Sequence, residues 1–501
     1  MFATLFLIAA LHTNVAKVQR HYDRVESKQL VPMLSEVLHF GTYQFNDEAF
    51  IEQKAWLMKT GERLGFVVRD SGKITEIELP ASAADAPVLG LVVHGDVQPV
   101  DADAWSFPPF SGKYDEKYVY GRGSADDKGP LVQALLAMKA LKESGIPRTH
   151  TIRLLVGSRE ESEADEMPEY IKTHAPPDYS LVLDSEFPVV IGEKAWNALT
   201  VTTPIDVREG PVTKPYHVWK MWAGLAASIV PDHAEVTLLW RESELPQWEP
   251  VMDAVRRVKL PEGTRIVMKD EADTLRIVAY GTSAHAGVNI TGGRNALTAL
   301  SIAMKGLLPS SGAADLLEFA RIAGEDIYGS GLGFTQSDPI WGRYAVNVAT
   351  IKMDADDPKK YVLTINIRST PPRTGEQLKT YLENLVAEFN ERSGAKLMPD
   401  GYYLDAPLGF DPRAKLVVRL LRDYEKATGT PQKPAISGGG TYAKRLPNAI
   451  AFGMWFPGKP YPGHDVDEKI EIADLQKGAR VLIYALTDIA TGKRIEEPFK
   501  P

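Results

Sequence analysis

The chain has 501 residues, of which 44% are hydrophobic, carries a formal net charge of -9 and contains no cysteine. It holds enough apolar material for more than one core. Disulfides and thiolate metal sites are excluded, so any metal must be held by histidine and carboxylates, and the lack of a long basic run argues against a nucleic-acid partner.

The opening stretch, MFATLFLIAALHTNVA, is an apolar run too short to span a bilayer, which takes about 20 residues. It reads as a signal-like segment over 1–16, which predicts export to the periplasm or the medium; a helix packed on the body of a cytoplasmic protein is the alternative. No other stretch resembles a membrane span. From about residue 88 to 190 strand and helix patterns alternate: LGLVVHGD, PLVQALLAMKALKESG, THTIRLLVGS, DEMPEYIKTH and YSLVLDSE. Alternation of this kind predicts an α/β fold with a mainly parallel sheet flanked by helices. Pro130 suits the first turn of its helix and Gly145 its end. Between 196 and 394 the texture changes to separate strands (HAEVTLLW, LRIVAYGTSAH, YVLTINIRST) and two helices (NALTALSIAMKGLL, GEQLKTYLENLVAEFNERSG), which predicts an inserted α+β domain. From 395 to 501 the α/β pattern returns with KLVVRLLRDYEKATG, NAIAFGMWF and DLQKGARVLIYALTDIATG, so 17–195 and 395–501 form one domain around the insert.

In a parallel sheet a ligand site lies beyond the carboxyl ends of the strands. His94 and Asp96 stand there two residues apart, and strand alternation sends both to one side. Glu160, Glu161 and Asp184 fall at other strand ends; Asp126 and Asp127 precede the helix that begins near Pro130, and His464 lies in PGHDVDEKI. Each group has a plainer reading by itself, as a strand-end cap, a helix cap, a solvated acidic loop or a turn cap. Together they make the inventory of a two-metal hydrolase: a shared carboxylate, histidine and carboxylate for each metal, and a spare carboxylate as base.

The segments HGDVQPVDADAWSFPPFSGKYDEKYVYGRGSADDKGP, REESE, LDSEFP, GTSAHAG and PGHDVDE follow one another along nearly the whole chain. In that order they resemble the motifs of the co-catalytic dizinc peptidase family of aminoacylases, glutamate-type carboxypeptidases and carnosinase-like dipeptidases. The resemblance implies a catalytic domain with an inserted lid and two divalent ions, zinc or else manganese or cobalt. By the same resemblance His94 and Asp184 bind one metal, Glu161 and His464 the other, and Asp126 bridges both. Glu160 becomes the general base, Asp96 orients the His94 ring, and a cis peptide joins Asp126 to Asp127. His285 resembles the lid histidine that stabilises the oxyanion, and Arg368 the lid arginine that meets a substrate carboxylate. Gly439, Gly440 and Thr441 in SGGGTYAK resemble a glycine-rich turn whose backbone donors approach that carboxylate. Ser228, in ASIVPDHAEV, stands where dipeptidase relatives usually carry asparagine, and offers one donor in its place.

The long insert and the segments KYDEKYVYGRGSADDKGP and DSEFPVVIGEKAW resemble the bacterial dipeptidase branch, which implies hydrolysis of unblocked dipeptides by a monomer or homodimer. The substrate's free amine then needs a carboxylate, Asp127 or Glu186. The alternatives are an N-acyl amino acid or short-peptide hydrolase of the same family, and a metal-binding protein without turnover. A serine hydrolase is poorly supported because GTSAH lacks the last glycine of GxSxG, and a dinucleotide enzyme fails because GRGSAD stops short of GxGxxG.

Overall fold

The structure is a computed structural model that describes residues 2–204, 214–241, 245–354, 357, 360–461 and 463–501. It divides into two compact units, one ending at Glu193 and resuming at Leu408, the other Lys194–Pro407. The insert thus runs past the expected end at 394, because the strand Met398–Tyr403 pairs with Ala195–Pro204 in the second unit.

Among the described residues the first unit holds a nine-stranded sheet. Its centre is parallel, with Thr151–Gly157, Val88–His94, Tyr179–Val182 and Ala449–Ala451 side by side in that order. Val88–His94 is a near-continuous apolar run, as a strand covered on both faces requires, and from Leu89 onward it is fully buried. An antiparallel hairpin, Val67–Ser71 with Ile74–Leu79, extends one side, and Val190–Glu193 with Leu408–Gly409 the other. The helix Lys128–Glu143 is apolar nearly all round and buried to match, packed against the closing helix Ile472–Thr491. The parallel strands therefore end together, which is what gathers their terminal residues into one place.

The N-terminal helix Phe2–His21 runs through Ala16 without a break. Val15 and Val18 are buried, and Asn14 Nδ2 donates to Thr491 Oγ1 at 3.5 Å. Among the described residues no helix is long and apolar enough to cross a membrane.

The second unit is built on an eight-stranded antiparallel sheet among the described residues. Its order is Arg265–Glu271, Thr274–Tyr280, His233–Trp240, Tyr216–Ala223, Ala345–Met353, Lys360–Ser369, Ala195–Pro204, Met398–Tyr403. Alternation is clearest in Lys360–Ser369, where Tyr361, Leu363, Ile365 and Ile367 face a core shared with the helices Ala296–Ala303, Gly312–Ala323 and Gly375–Ser393.

Candidate metal centre and its surroundings

The strand Val88–His94 ends on a fully buried His94 whose Nδ1 donates to the backbone carbonyl of Asp96 at 2.9 Å. A carbonyl only accepts, so Nδ1 carries a proton, and Nε2 is the ring nitrogen turned toward the neighbouring carboxylates. Nε2 lies 3.0 Å from Asp126 Oδ1 and 3.8 Å from Asp184 Oδ2. The other oxygen of Asp126 turns the opposite way: Oδ2 is 3.1 Å from His464 Nε2, which is also 2.8 Å from Glu161 Oε1. Asp126 therefore shares its two oxygens between two histidines, the arrangement a bridging carboxylate needs. The spacings suit metal ligands, since ligand atoms about 2.0 Å from a tetrahedral ion lie roughly 3.3 Å apart. Two triads come within 4.8 Å throughout, His94–Asp126–Glu161 and His94–Glu160–Asp184.

Asp96 does more than the sequence indicates. Its carboxylate is 3.5 Å from His94 Nδ1, and its two oxygens accept the backbone N–H groups of Glu160 at 3.2 Å and Glu161 at 2.9 Å. The two preceding amides, of Ser158 and Arg159, donate to Glu166 Oε1 at 3.1 and 2.7 Å. Four successive N–H groups of the acidic loop are thus fixed by two carboxylates. Tyr442 Oη also donates to Glu166, and it can approach because residue 157 is glycine: a Cβ there would stand 2.1 Å from that hydroxyl. Glu161 is held further by Gln98 Nε2, 2.9 Å from Oε2.

The loops around Asp126 and His464 are tied to each other. Glu468 Oε1 accepts Ala125 N–H at 2.9 Å and Asp126 N–H at 3.3 Å, while its Oε2 takes Arg122 Nη1 at 2.7 Å. Tyr461 donates to Asp126 Oδ2. His464 adopts φ 68°, a left-handed conformation uncommon for a residue with a Cβ, of the kind that surrounding structure must enforce at a site. The Asp126–Asp127 peptide is cis. Gln98, Glu166, Tyr461 and Glu468 were not singled out from the sequence. Gln98 left a local sign, two residues beyond Asp96 in the alternation that starts at His94, and Glu468 closes the segment PGHDVDE.

The charge balance favours cations. Among the described residues Asp96, Asp126, Asp127, Glu160, Glu161 and Asp184 gather around the His94 and His464 imidazoles. Burial drives the Glu160, Asp184 and Asp127 carboxyls well above the usual carboxylate range, and neighbouring carboxylates add to it. Burial works against charge on His464 too, yet Glu161 and Asp126 outweigh it and lift the ring to about 10. For His94 the bonds to Asp126 and Asp96 likewise overcome desolvation and hold it well above an ordinary histidine. Asp126 goes the other way, kept well below its usual value against burial by His464 and His94. Surplus negative charge around two imidazoles with their Nε2 atoms turned to carboxylates fits divalent metal, and these residues could hold it.

The remaining residues named from the sequence fall in three places. Thr441 belongs to the glycine-rich turn of the first unit, but its N–H and hydroxyl both donate to Glu193, at 3.1 and 2.7 Å. Its donors are thereby engaged within the fold, and so is the N–H of buried Gly439, which donates to Ser437 Oγ at 3.0 Å; Gly440 is the exposed residue of the turn. His285 lies in the second unit, where its Nδ1 accepts N–H bonds from Gly287 and Val288, each at 3.0 Å. Its proton is therefore on Nε2. Ser228 is close by in the fold, its carbonyl accepting Ala286 N–H at 2.8 Å, and its Oγ is 3.3 Å from Arg368 Nη2.

A parallel α/β sheet whose strand ends gather histidines and carboxylates around shared oxygens is the architecture of a metallohydrolase. Comparison with known proteins agrees: the profile of peptidase family M20/M25/M40 matches residues 90–488. The chain belongs to that family and is a metallopeptidase. It is 28% identical over 412 residues, 81% of this chain and 83% of the relative, to a protein of Lactobacillus delbrueckii subsp. lactis named beta-Ala-Xaa dipeptidase. Its fold is similar to that of human carnosine dipeptidase 1 (TM-score 0.59, 12% identity, 95% of this chain and 98% of the other). It is also similar to the Saccharomyces cerevisiae di-peptidase Dug1p (TM-score 0.60, 14% identity, 94% and 98%).

Proposed function

We propose that the protein is a dipeptidase that hydrolyses unblocked dipeptides with Glu160 as general base. The observation that carries the reading is the contrast between two adjacent glutamates. Glu161 has its oxygens engaged by Gln98 and His464, whereas among the described residues nothing donates a hydrogen bond to the Glu160 carboxylate, which stands beside His94 and Asp184. The contrast supports reading Glu161 as a ligand and Glu160 as the base.

Two divalent ions, zinc for this donor set with manganese or cobalt also accepted, would be held by His94, Asp126 and Asp184 and by His464, Asp126 and Glu161; when bound they polarise the scissile carbonyl and lower the pKa of a water. Glu160 takes the proton from that water and delivers it to the leaving amine. His285, with its proton fixed on Nε2, is suited to donate to the developing oxyanion. Arg368 meets the substrate's C-terminal carboxylate. Of the two candidates for the amine, Asp127 is fully buried and accepts His94 N–H at 3.1 Å. Glu186 is partly exposed, and among the described residues no donor bonds it. Glu186 is the one open to an ammonium group.

The test is hydrolysis by the zinc-loaded protein of unblocked dipeptides beside their N-acetyl forms and matching tripeptides. Cleavage confined to free dipeptides is expected. Preference for the acetylated forms would move the protein to the acylase branch, and silence with both metals bound would leave a binding protein.

A further inference from the structure

The second unit contains a polar cluster that the chemistry above does not use in full. Strand register sets Trp196 directly opposite Arg368, so the two side chains share one face of the sheet. The guanidinium lies 5.8 Å from the Trp196 ring centroid and its Nε donates to Asn366 Oδ1 at 2.9 Å. Asn366, two residues earlier on the same strand, is itself fixed by donating Nδ2 to Asn197 O at 2.9 Å. Tyr403 closes the far side of the indole edge-on, with ring centroids 4.9 Å apart.

Ser228 is the point on which this cluster converges. Its Oγ lies 2.9 Å from Trp196 Nε1 and 3.3 Å from Arg368 Nη2. An indole N–H and a guanidinium N–H can only donate. Both lone pairs of the hydroxyl are therefore occupied, and its own hydrogen is left to donate. Among the described residues no acceptor takes that hydrogen. A serine alone would rotate among several partners; here the indole removes the choice.

We propose that Trp196 is a positioning residue that fixes Ser228 as an outward hydrogen-bond donor beside Arg368, and that Ser228 thereby helps select substrates with a free C-terminal carboxylate. The proposal rests on the reading of Arg368 as the carboxylate partner. A hydroxyl and a guanidinium side by side offer two donors to one anionic group, which a C-terminal amide satisfies poorly because its nitrogen side is itself a donor. Trp196 acts only through Ser228, so its contribution should vanish when Ser228 is gone.

The experiment uses the metal-loaded full chain and compares Trp196→Phe, Ser228→Ala and the double variant. Phenylalanine keeps the ring against Tyr403 and Arg368 and deletes only the N–H. Each variant is assayed on a substrate and on its C-terminal amide, with thermal unfolding as the control for folding. Trp196→Phe is expected to raise KM for the free acid by roughly three- to tenfold with kcat within about twofold, and to lower the acid-over-amide preference by a similar factor. Ser228→Ala should do at least as much, Ser228→Thr should retain the preference, and the double variant should match Ser228→Ala alone. Equal effects on acid and amide, a fall in kcat at unchanged KM, or multiplying single effects would each overturn the proposal. N-acyl amino acids carry the same carboxylate, so the comparison runs on whichever class the wild type cleaves. Failure of the dipeptide reading then appears in the wild type, and failure of this inference in the variants.

Discussion

Glu160 and Glu161 share a loop and a clamp, since Asp96 accepts the backbone N–H of each, yet their side chains are set apart by what surrounds them. Replacing Glu160 with glutamine keeps the size and the loop bonds and removes the basic oxygen. Turnover is expected to fall by about 10²- to 10⁴-fold or more, the usual weight of a general base, while elemental analysis finds metal content unchanged. Loss of metal from that variant would make Glu160 a ligand instead. Glu186 calls for a different readout. Burial raises its pKa, among the described residues no cation opposes the shift, and an ammonium group would relieve that cost. Glu186→Gln should raise KM for unblocked dipeptides about tenfold and leave any slow cleavage of N-acetyl forms untouched. An equal effect on both series would remove Glu186 from amine recognition.

Between elements, the helices Lys415–Thr428 and Ile472–Thr491 meet over a buried charge cluster. Arg422 Nη2 lies 2.7 Å from Asp423 Oδ1 and 2.7 Å from Asp488 Oδ2, and Arg419 also bonds Asp488. Burial and the Asp488 carboxylate push Asp423 up to about 8 against the pull of Arg422. An unfolded aspartate titrates near 3.9, so the folded state binds the extra proton between these values. The stability this adds is complete below about pH 4 and is lost as pH rises through about 8. Asp423→Asn, which cannot ionise, should therefore gain on the wild type as pH goes from 5 to 8.5. Denaturant midpoints at the two pH values check it, and a pH-independent difference would show that Asp423 stays charged. Elements differ, too, in how far the sequence announces them. The central parallel strands are legible because each is an apolar run bounded by turn residues, and His94, Glu160, Glu161 and Asp184 are legible because they stand at or just past the ends of those runs. Arg265–Glu271 and Val67–Ser71 lie at sheet edges where charges interrupt the alternation, which hides them. NAIAFGMWF reads as one strand, but it breaks into Ala449–Ala451 and Met454–Trp455 around Gly453, whose φ is 83° and where a Cβ would lie 2.6 Å from the Phe187 ring. DEMPEYIKTH shrinks to a five-residue helix, Glu166–Tyr170. At the site the supports escape notice for a reason of distance along the chain: Glu468 is 342 residues from Asp126, and Tyr461 is 335. Pairings of that span leave no local pattern.

At the scale of the whole chain, the insert leaves and returns at one spot. Glu193, the last residue of the first unit before it, and Leu408, the first after it, are directly paired across antiparallel strands. Each unit has a hydrophobic core of its own, one around Leu135, Leu154 and Leu482, the other around Leu238, Leu300 and Ile365. Such a pair of strand ends can be closed by a short hairpin turn, for which Asn-Gly is the preferred chemistry. A chain with Lys194–Pro407 replaced by such a turn should unfold cooperatively and take up metal, because His94, Asp126, Glu161, Asp184 and His464 all remain. It should hydrolyse no dipeptide, because His285, Arg368, Ser228 and Trp196 are gone. Calorimetry, metal titration and the dipeptide assay separate the outcomes. Retained turnover would mean that the insert contributes nothing to the chemistry, and a shortened chain that stays unfolded with metal present would mean that the first unit's core does not suffice without the second. Metal uptake without turnover would place ligand binding in the first unit and substrate recognition in the second.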